Sequence, residues 1–132
     1  MRVWDYHTDR AVSVTHMHGL RDLNGKMATP ERTDQARRLL ELSRQLARPD
    51  DLKVICGDFN VEPDSETLSI LTDAGMTELV TERGFTRTRN SQYKKPGRFA
   101  DYMLINREEA VKSFNVIHEP EVSDHCPLIL EV

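Results

Sequence analysis

Apolar and polar positions alternate from Val12 to His16, with Val12, Val14 and His16 on one side and Ser13 and Thr15 on the other. That period of two is the pattern of a β-strand. The turn-like stretch His7-Thr8-Asp9 precedes it, so Arg2 to Tyr6 is expected as the first strand of an opening hairpin. A polar loop with Gly19, Asn24 and Gly25 follows, and then the period changes. Ala36, Leu39, Leu40, Leu46 and Ala47 recur at helical spacing behind Thr29 and Pro30. Thr29 can cap a helix, and Pro30 fits its first position, where a missing N–H costs nothing. One face of this helix should pack on a sheet, and Pro49 should close it.

Leu52 to Cys56 is a short apolar run, which predicts a central strand buried on both faces. It delivers Gly57-Asp58-Phe59-Asn60 to its end. Pro63-Asp64-Ser65 starts a second expected helix through Leu68, Ile70 and Leu71, and Gly75 stops it as a C-cap. Tyr102 to Ile105 and Phe114 to Ile117 read as strands, and Pro127 to Val132 as a last strand with proline at its first position. Strands and helices are mixed in order, with no repeat and no linker. Polar and acidic residues fall repeatedly where strands end, the place where sites in layered α/β proteins gather.

Composition narrows the class. A chain of 132 residues suits one domain, and a domain of that size buries about two-thirds of its unfolded surface. With 38% hydrophobic and 30% charged residues it reads as a soluble globular protein rather than a disordered one. No apolar run approaches the roughly 18 residues of a membrane span. The opening MRVWDYHTDR lacks the order of a secretory signal, so the cytoplasm is the expected location. Cys56 and Cys126 each sit in an apolar run and are expected as buried free thiols.

A net charge of −4 gives no general attraction for nucleic acid or anionic membrane. Its distribution is uneven. From Arg83 to Arg98 the sequence carries six basic residues and no acid. Such a run is either a solvated loop or a phosphate contact.

Four polar clusters lie beside apolar strands: Thr15-His16-Met17-His18-Gly19, Gly57-Asp58-Phe59-Asn60, Arg98-Phe99-Ala100-Asp101-Tyr102 and Ser123-Asp124-His125-Cys126-Pro127. Each alone is weak, because a strand-end Asp is more often a turn or cap than a ligand. Together they supply what is needed to hold a hard divalent cation and cleave a phosphoester. Oxygen ligands such as Asp58 and Asp124 suit Mg²⁺ or Mn²⁺. Asn60 can donate to a phosphate oxygen without adding negative charge. A histidine oriented by a carboxylate can deprotonate an attacking water.

The segments THMHG, VICGDFNVEPDS, RFADYMLI and VSDHCPLIL resemble, in order and spacing, the successive motifs of the C-terminal half of the endonuclease/exonuclease/phosphatase superfamily. The likeness runs across nearly the whole chain. It implies an α/β domain of α+β type over residues 1–132, with a mixed, mostly antiparallel sheet flanked by helices, half of a DNase I-like four-layer β-sandwich. It further implies that His16 contacts the scissile phosphate and helps protonate the leaving group. Asp58 and Asn60 would orient the nucleophile or leaving group and bind phosphoryl oxygens. Asp101 would orient the catalytic histidine, here His125. Asp124 would ligate Mg²⁺ or Mn²⁺, with Asp58 and Asn60 in the same metal set. His18 and Gly19 belong to the local motif, without an assigned role.

Family members are about twice this length, and their N-terminal half supplies an Asn and a Glu that is a principal metal ligand. Asp5, Asp9 and Asp22 have no matching context for that role. Two readings follow. One is a Mg²⁺- or Mn²⁺-dependent hydrolase of phosphodiesters or phosphomonoesters, its basic segment Arg83 to Arg98 gripping either a nucleic-acid backbone or a small phosphorylated molecule. The other is a half-domain that hydrolyses nothing and serves as a binding or dimerising module. A zinc site of His16, His18, Cys56, Cys126 and His125 is a third, weaker reading, because paired ligand spacings are absent. A lone half would leave one sheet face uncovered around Val12-Val14, Val54-Cys56 and Leu128-Leu130. A homodimer covering that face is therefore expected.

Overall fold

The computed structural model describes residues 1–22 and 25–132, so the expected loop position of Asn24 lies outside the described residues. Strand β1 (Arg2–Asp5) pairs antiparallel with β2 (Arg10–His18), as the alternation predicts. Helix α1 (Pro30–Leu46) begins where expected: the Thr29 side chain accepts from the Arg32 N–H and Pro30 occupies the first turn. Strand β3 (Leu52–Asp58) follows, then α2 (Glu66–Thr72), capped by Ser65. Gly75, at φ +87°, takes the chain out of that helix.

A short strand β4 (Thr77–Glu78) and a one-turn helix α3 (Leu79–Glu82) lie where the pattern of apolar residues announces nothing. Glu78 caps α3, its carboxylate accepting from the Val80 and Thr81 N–H groups at 2.6 and 2.9 Å. Strands β5 (Asp101–Ile105), β6 (Ser113–Val116) and β7 (Leu128–Glu131) complete the fold within a residue or two of expectation. No helix among the described residues is long and apolar enough to cross a membrane.

Five strands form one sheet in the order β1-β2-β3-β5-β4, and β6 and β7 form a separate two-stranded sheet. Among the described residues only β2 and β3 run parallel, with α1 in the connection between them; the other ladders are antiparallel. One face of the large sheet is covered. There Ile55, Tyr102 and Leu104 are fully buried, in a core that includes Ala36, Leu39, Leu68 and Leu71 from α1 and α2.

The other face is only partly covered. Val12 and Val54 are buried, but Val14, Cys56 and Met103 are half-exposed along a 410 Å³ groove that they share with Leu128, Leu130 and Val132 of the last strand. The expectation that β3 is buried on both faces therefore holds for Val54 and Ile55 and fails at Cys56, which is only partly buried. The residues expected to be laid bare on this face are less exposed than anticipated because β7 contributes Leu128 and Leu130 to the same groove.

Candidate active site

The register of the three central strands sets the site. His18 of β2 lies beside Asp58 of β3, which in turn lies opposite Asp101 of β5, so the three share one row on the open face. Gly57 makes the close strand approach possible. Its φ is +138°, and a Cβ there would overlap the Met17 carbonyl oxygen. Past the strand end the chain turns sharply. Asn60 sits at φ +55°, and its N–H donates to Asp58 Oδ1 at 2.8 Å. Its side-chain amide donates to the Gly19 carbonyl at 3.1 Å, tying the loop after β3 to the loop after β2. Such a backbone conformation in a non-glycine residue costs energy and is concentrated at functional sites.

Aromatic packing beneath the row fixes it. Phe59 meets Tyr102 edge-on with ring centroids 5.8 Å apart, Phe99 stacks on Tyr102 at 6.3 Å, and the Tyr102 hydroxyl donates to Val61 O at 2.9 Å. Burial holds that phenol well above its ordinary pKa, so it stays a neutral donor. The Thr88 hydroxyl accepts from both the Ala100 and Asp101 N–H groups, at 3.0 and 3.1 Å, and locks the start of β5.

His125 arrives from the loop before β7. Its Nδ1 lies 2.8 and 3.0 Å from the two carboxylate oxygens of Asp101. Burial pushes the Asp101 carboxyl up from its usual value, and the hydrogen bond to His125 pulls it back. His125 Nε2 faces the cleft, 3.9 Å from Asp58 Oδ2 and 4.0 Å from Asp124 Oδ1.

Between these groups lies Arg89. Its Nη1 donates to Asp124 Oδ2 at 2.6 Å and approaches His125 Nε2 at 2.6 Å, and its Nη2 is 3.7 Å from Asp58 Oδ2. A bridge pairs Arg89 with His125 along the backbone.

Asp58, Asn60, Asp124, His125 and Arg89 thus line one 430 Å³ cleft, together with His18, Arg21, Gln92, Tyr93, Lys94 and Lys95. His16 of β2, in register with Cys56 of β3, lines the adjoining cleft that also contains Asp58, Asp101 and His125. Arg89 is the site residue that the motifs do not disclose; its only signal in the sequence is membership of the acid-free basic run. The basic residues of that run are held in different ways. Arg83 pairs with Glu108 at 3.0 Å, Lys94 donates to the Ser91 carbonyl at 2.6 Å, and Arg89 is buried. Phe85 packs on Phe114 at 5.7 Å, whereas Tyr93 lies under the cations of Arg89 and Lys26 at 4.5 and 5.1 Å. Both cysteines are free, but only Cys126 is buried. Cys56 opens into the cleft, a departure from the expected burial.

Asp58, Asp101 and His125 each offer an atom within 4.8 Å of the others, a group able to hold a metal ion. The arrangement fits a hard cation. Carboxylate oxygens dominate it, and the guanidinium lodged among Asp58, Asp124 and His125 marks where positive charge is stabilised.

A sheet with helices on one face and aspartates gathered at its strand ends is of the DNase I-like type. The chain belongs to the endonuclease/exonuclease/phosphatase family, whose model matches residues 4–125. In structure it is similar to the Bacteroides thetaiotaomicron VPI-5482 mannosyl-6-phosphatase Bt3783, with a TM-score of 0.70, 16% identity, and coverage of 97% of this chain and 53% of that one. D. rerio TDP2 complexed with single strand DNA product gives a TM-score of 0.66 at 20% identity over 93% of this chain and 56% of that one. The human Nocturnin catalytic domain with bound sulfate anion gives 0.55 at 18% identity over 98% and 51%. The chain therefore spans about half the length of the solved structures it matches. No curated protein matches it in sequence.

Proposed function

We propose that the chain is a divalent-metal-dependent phosphoesterase, hydrolysing phosphodiester or phosphomonoester bonds by attack of a water on phosphorus. The observation that carries the reading is the Asp101–His125 pair at 2.8 Å, with His125 Nε2 directed into a cleft lined by Asp58, Asn60 and Asp124. Ionised Asp101 accepts the Nδ1 proton and so keeps the lone pair on Nε2, where His125 can take a proton from water.

Asn60 spends one amide hydrogen on Gly19 and has a second for a phosphoryl oxygen. His16, on the neighbouring strand, is suited to protonate the leaving group. Asp58 and Asp124, with Asn60 beside them, would hold the cation. A Mg²⁺ or Mn²⁺ ion held there would supply positive charge to the phosphate oxygens. The substrate is phosphorylated, and Arg21, Lys94 and Lys95 around the cleft suit the backbone of a nucleic acid or a small phosphorylated molecule alike.

The test is hydrolysis of p-nitrophenyl phosphate and bis-p-nitrophenyl phosphate with magnesium or manganese, with His125→Ala as control. Turnover that needs metal and vanishes in the variant is expected. A wild-type chain that neither binds metal nor cleaves either ester fails as an enzyme.

A second reading is favoured by the apolar groove between the large sheet and β7: an inactive half-domain that binds or dimerises, with a second copy of the chain over Val14, Cys56, Leu128 and Leu130. A groove of this kind beside half-exposed strands would suit an interaction surface, and the chain has about half the length of the structures it matches. Sedimentation should then show a dimer that Leu128→Asp converts to monomer. A wild-type chain that sediments as a stable monomer at micromolar concentration removes this reading.

A further inference from the structure

Among the described residues, Arg32 and Arg89 are the buried arginines, at 2% and 8% exposure. They are bound in different ways. Arg32 donates through Nε to Leu20 O at 3.0 Å and through Nη1 to Gly25 O and Met27 O at 3.0 and 2.7 Å, tying the loop after β2 to helix α1. Its partners are neutral carbonyls, the pattern of an architectural arginine. Arg89 spends only Nη1, on Asp124 and on His125 Nε2. Its Nε is buried without a partner, and Nη2 makes no hydrogen bond among the described residues, its ion-pair partner Asp58 Oδ2 standing off at 3.7 Å.

Nε and Nη2 form one edge of the guanidinium, the edge that grips two oxygens of a carboxylate or phosphate at once. That edge is unsatisfied. The anchoring contacts have a second consequence. An N–H directed at His125 Nε2 occupies the lone pair that a general base needs, and the ion pair with Asp124 occupies a carboxylate suited to a cation.

The backbone around Arg89 is firmly held: its own N–H and that of Thr88 donate to Arg98 O at 3.0 and 2.9 Å, and Cys126 N–H donates to Thr88 O at 2.9 Å. The guanidinium lies over the Tyr93 ring, its Cζ 4.5 Å from the ring centroid.

We propose that Arg89 is the phosphate fork of this site and its substrate-operated latch. Resting on Asp124 and His125, it turns its Nε/Nη2 edge onto two oxygens of an incoming phosphate, and by leaving frees the His125 Nε2 lone pair and the Asp124 carboxylate. The proposal rests on the phosphoesterase reading and adds what the site selects, a phosphate group with two unesterified oxygens, and how it is switched on.

Calorimetric titration of the whole chain with Mn²⁺ alone, and separately with inorganic phosphate, tests it in the wild type, Arg89→Gln and Arg89→Lys. Arg89→Gln should bind Mn²⁺ about 10-fold more tightly, because a competing positive charge is gone. It should bind phosphate roughly 10- to 100-fold more weakly, because the charged fork is lost. Arg89→Lys keeps the charge without the fork, so phosphate weakens while Mn²⁺ stays near the wild-type value. Opposite movement of the two affinities is the signature. An arginine of structural importance only would weaken both and lower the melting temperature.

Unchanged phosphate affinity in Arg89→Gln overturns the proposal, as does weakened Mn²⁺ affinity or a wild-type chain that binds neither ion. Should Arg89→Gln not fold, Tyr93→Leu removes the ring under the guanidinium and is expected to weaken phosphate binding alone. Phosphate binding that depends on Arg89 in a chain that hydrolyses nothing would sink the phosphoesterase reading and leave the fork standing. Full hydrolysis by Arg89→Gln would sink the fork and leave the enzyme.

Discussion

Two aspartates bracket the central strand: Asp51 immediately precedes β3 and Asp58 ends it. Asp51, 2% exposed, is saturated with donors. Arg2 grips both of its oxygens at 2.7 and 2.9 Å, the Ser13 hydroxyl donates at 2.8 Å and the Arg48 N–H at 3.0 Å. Those bonds, the Arg2 pair first, hold its carboxyl far below the ordinary range. Asp58 accepts one backbone bond at 2.8 Å, and its other oxygen faces Arg89, His18 and His125 only at 3.7 to 3.9 Å.

The same residue type at the two ends of one strand thus does opposite work. Asp51 closes the sheet by satisfying its neighbours; Asp58 leaves an oxygen available in a cleft. A saturated buried charge stabilises a fold, whereas an under-coordinated one is where a ligand gains most.

Exchanging each aspartate for a neutral residue should separate these roles. Asp58→Asn is expected to lower metal-dependent ester hydrolysis by about 10²- to 10³-fold. Its melting temperature should hold or rise, since a carboxylate beside Asp101 and Asp124 is removed. A protein that unfolds instead would make Asp58 structural and erase the contrast.

Asp51→Ala should do the reverse. Four donor groups on three residues lose their acceptor, and urea denaturation should report a loss of about 2–3 kcal/mol, the solvent exposure of Arg2 keeping the figure at the low end for a broken ion pair. Turnover per folded molecule should stay at the wild-type value.

The pH dependence of stability sharpens the same point. Because the folded Asp51 carboxyl is lowered, its stabilisation is complete above the unfolded value of about 3.9 and is lost as pH falls below that value toward the lowered folded one. An acid denaturation curve should flatten between pH 4 and 2, to about that extent, in Asp51→Ala and not in Asp58→Asn. The smallest effect is expected on the open face, where Val14 is half-exposed. Val14→Ala should cost under about 1 kcal/mol by chemical denaturation, whereas Leu39→Ala, on the covered face at 6% exposure, should cost about 2–4 kcal/mol. Equal losses would mean that the two faces are equally packed in solution.

Element boundaries in this chain are local matters. Alternation from Val12 to His16, the Thr29-Pro30 helix start and the Gly75 stop involve neighbours in sequence, so periodicity and capping chemistry suffice to place them. Strand β4 and helix α3 were not legible because their two and four residues are too short to show a period. Asp58, Asn60, Asp101, Asp124 and His125 were legible as a set because four motifs stand at strand ends, which the register then brings together.

The motifs thus pointed to the family and to Asp58, Asn60, Asp124 and His125, which line the cleft, but not to Arg89 beside them. Tertiary structure alone decided which charges meet: that Asp51, an unremarked loop residue, is clamped by Arg2, and that Arg89, one of six basic residues in a run, lies between Asp124 and His125. The reason is physical. A contact across 35 or 49 residues is set by how strands and loops stack, and the energy of a buried charge depends on the donors that stacking brings to it.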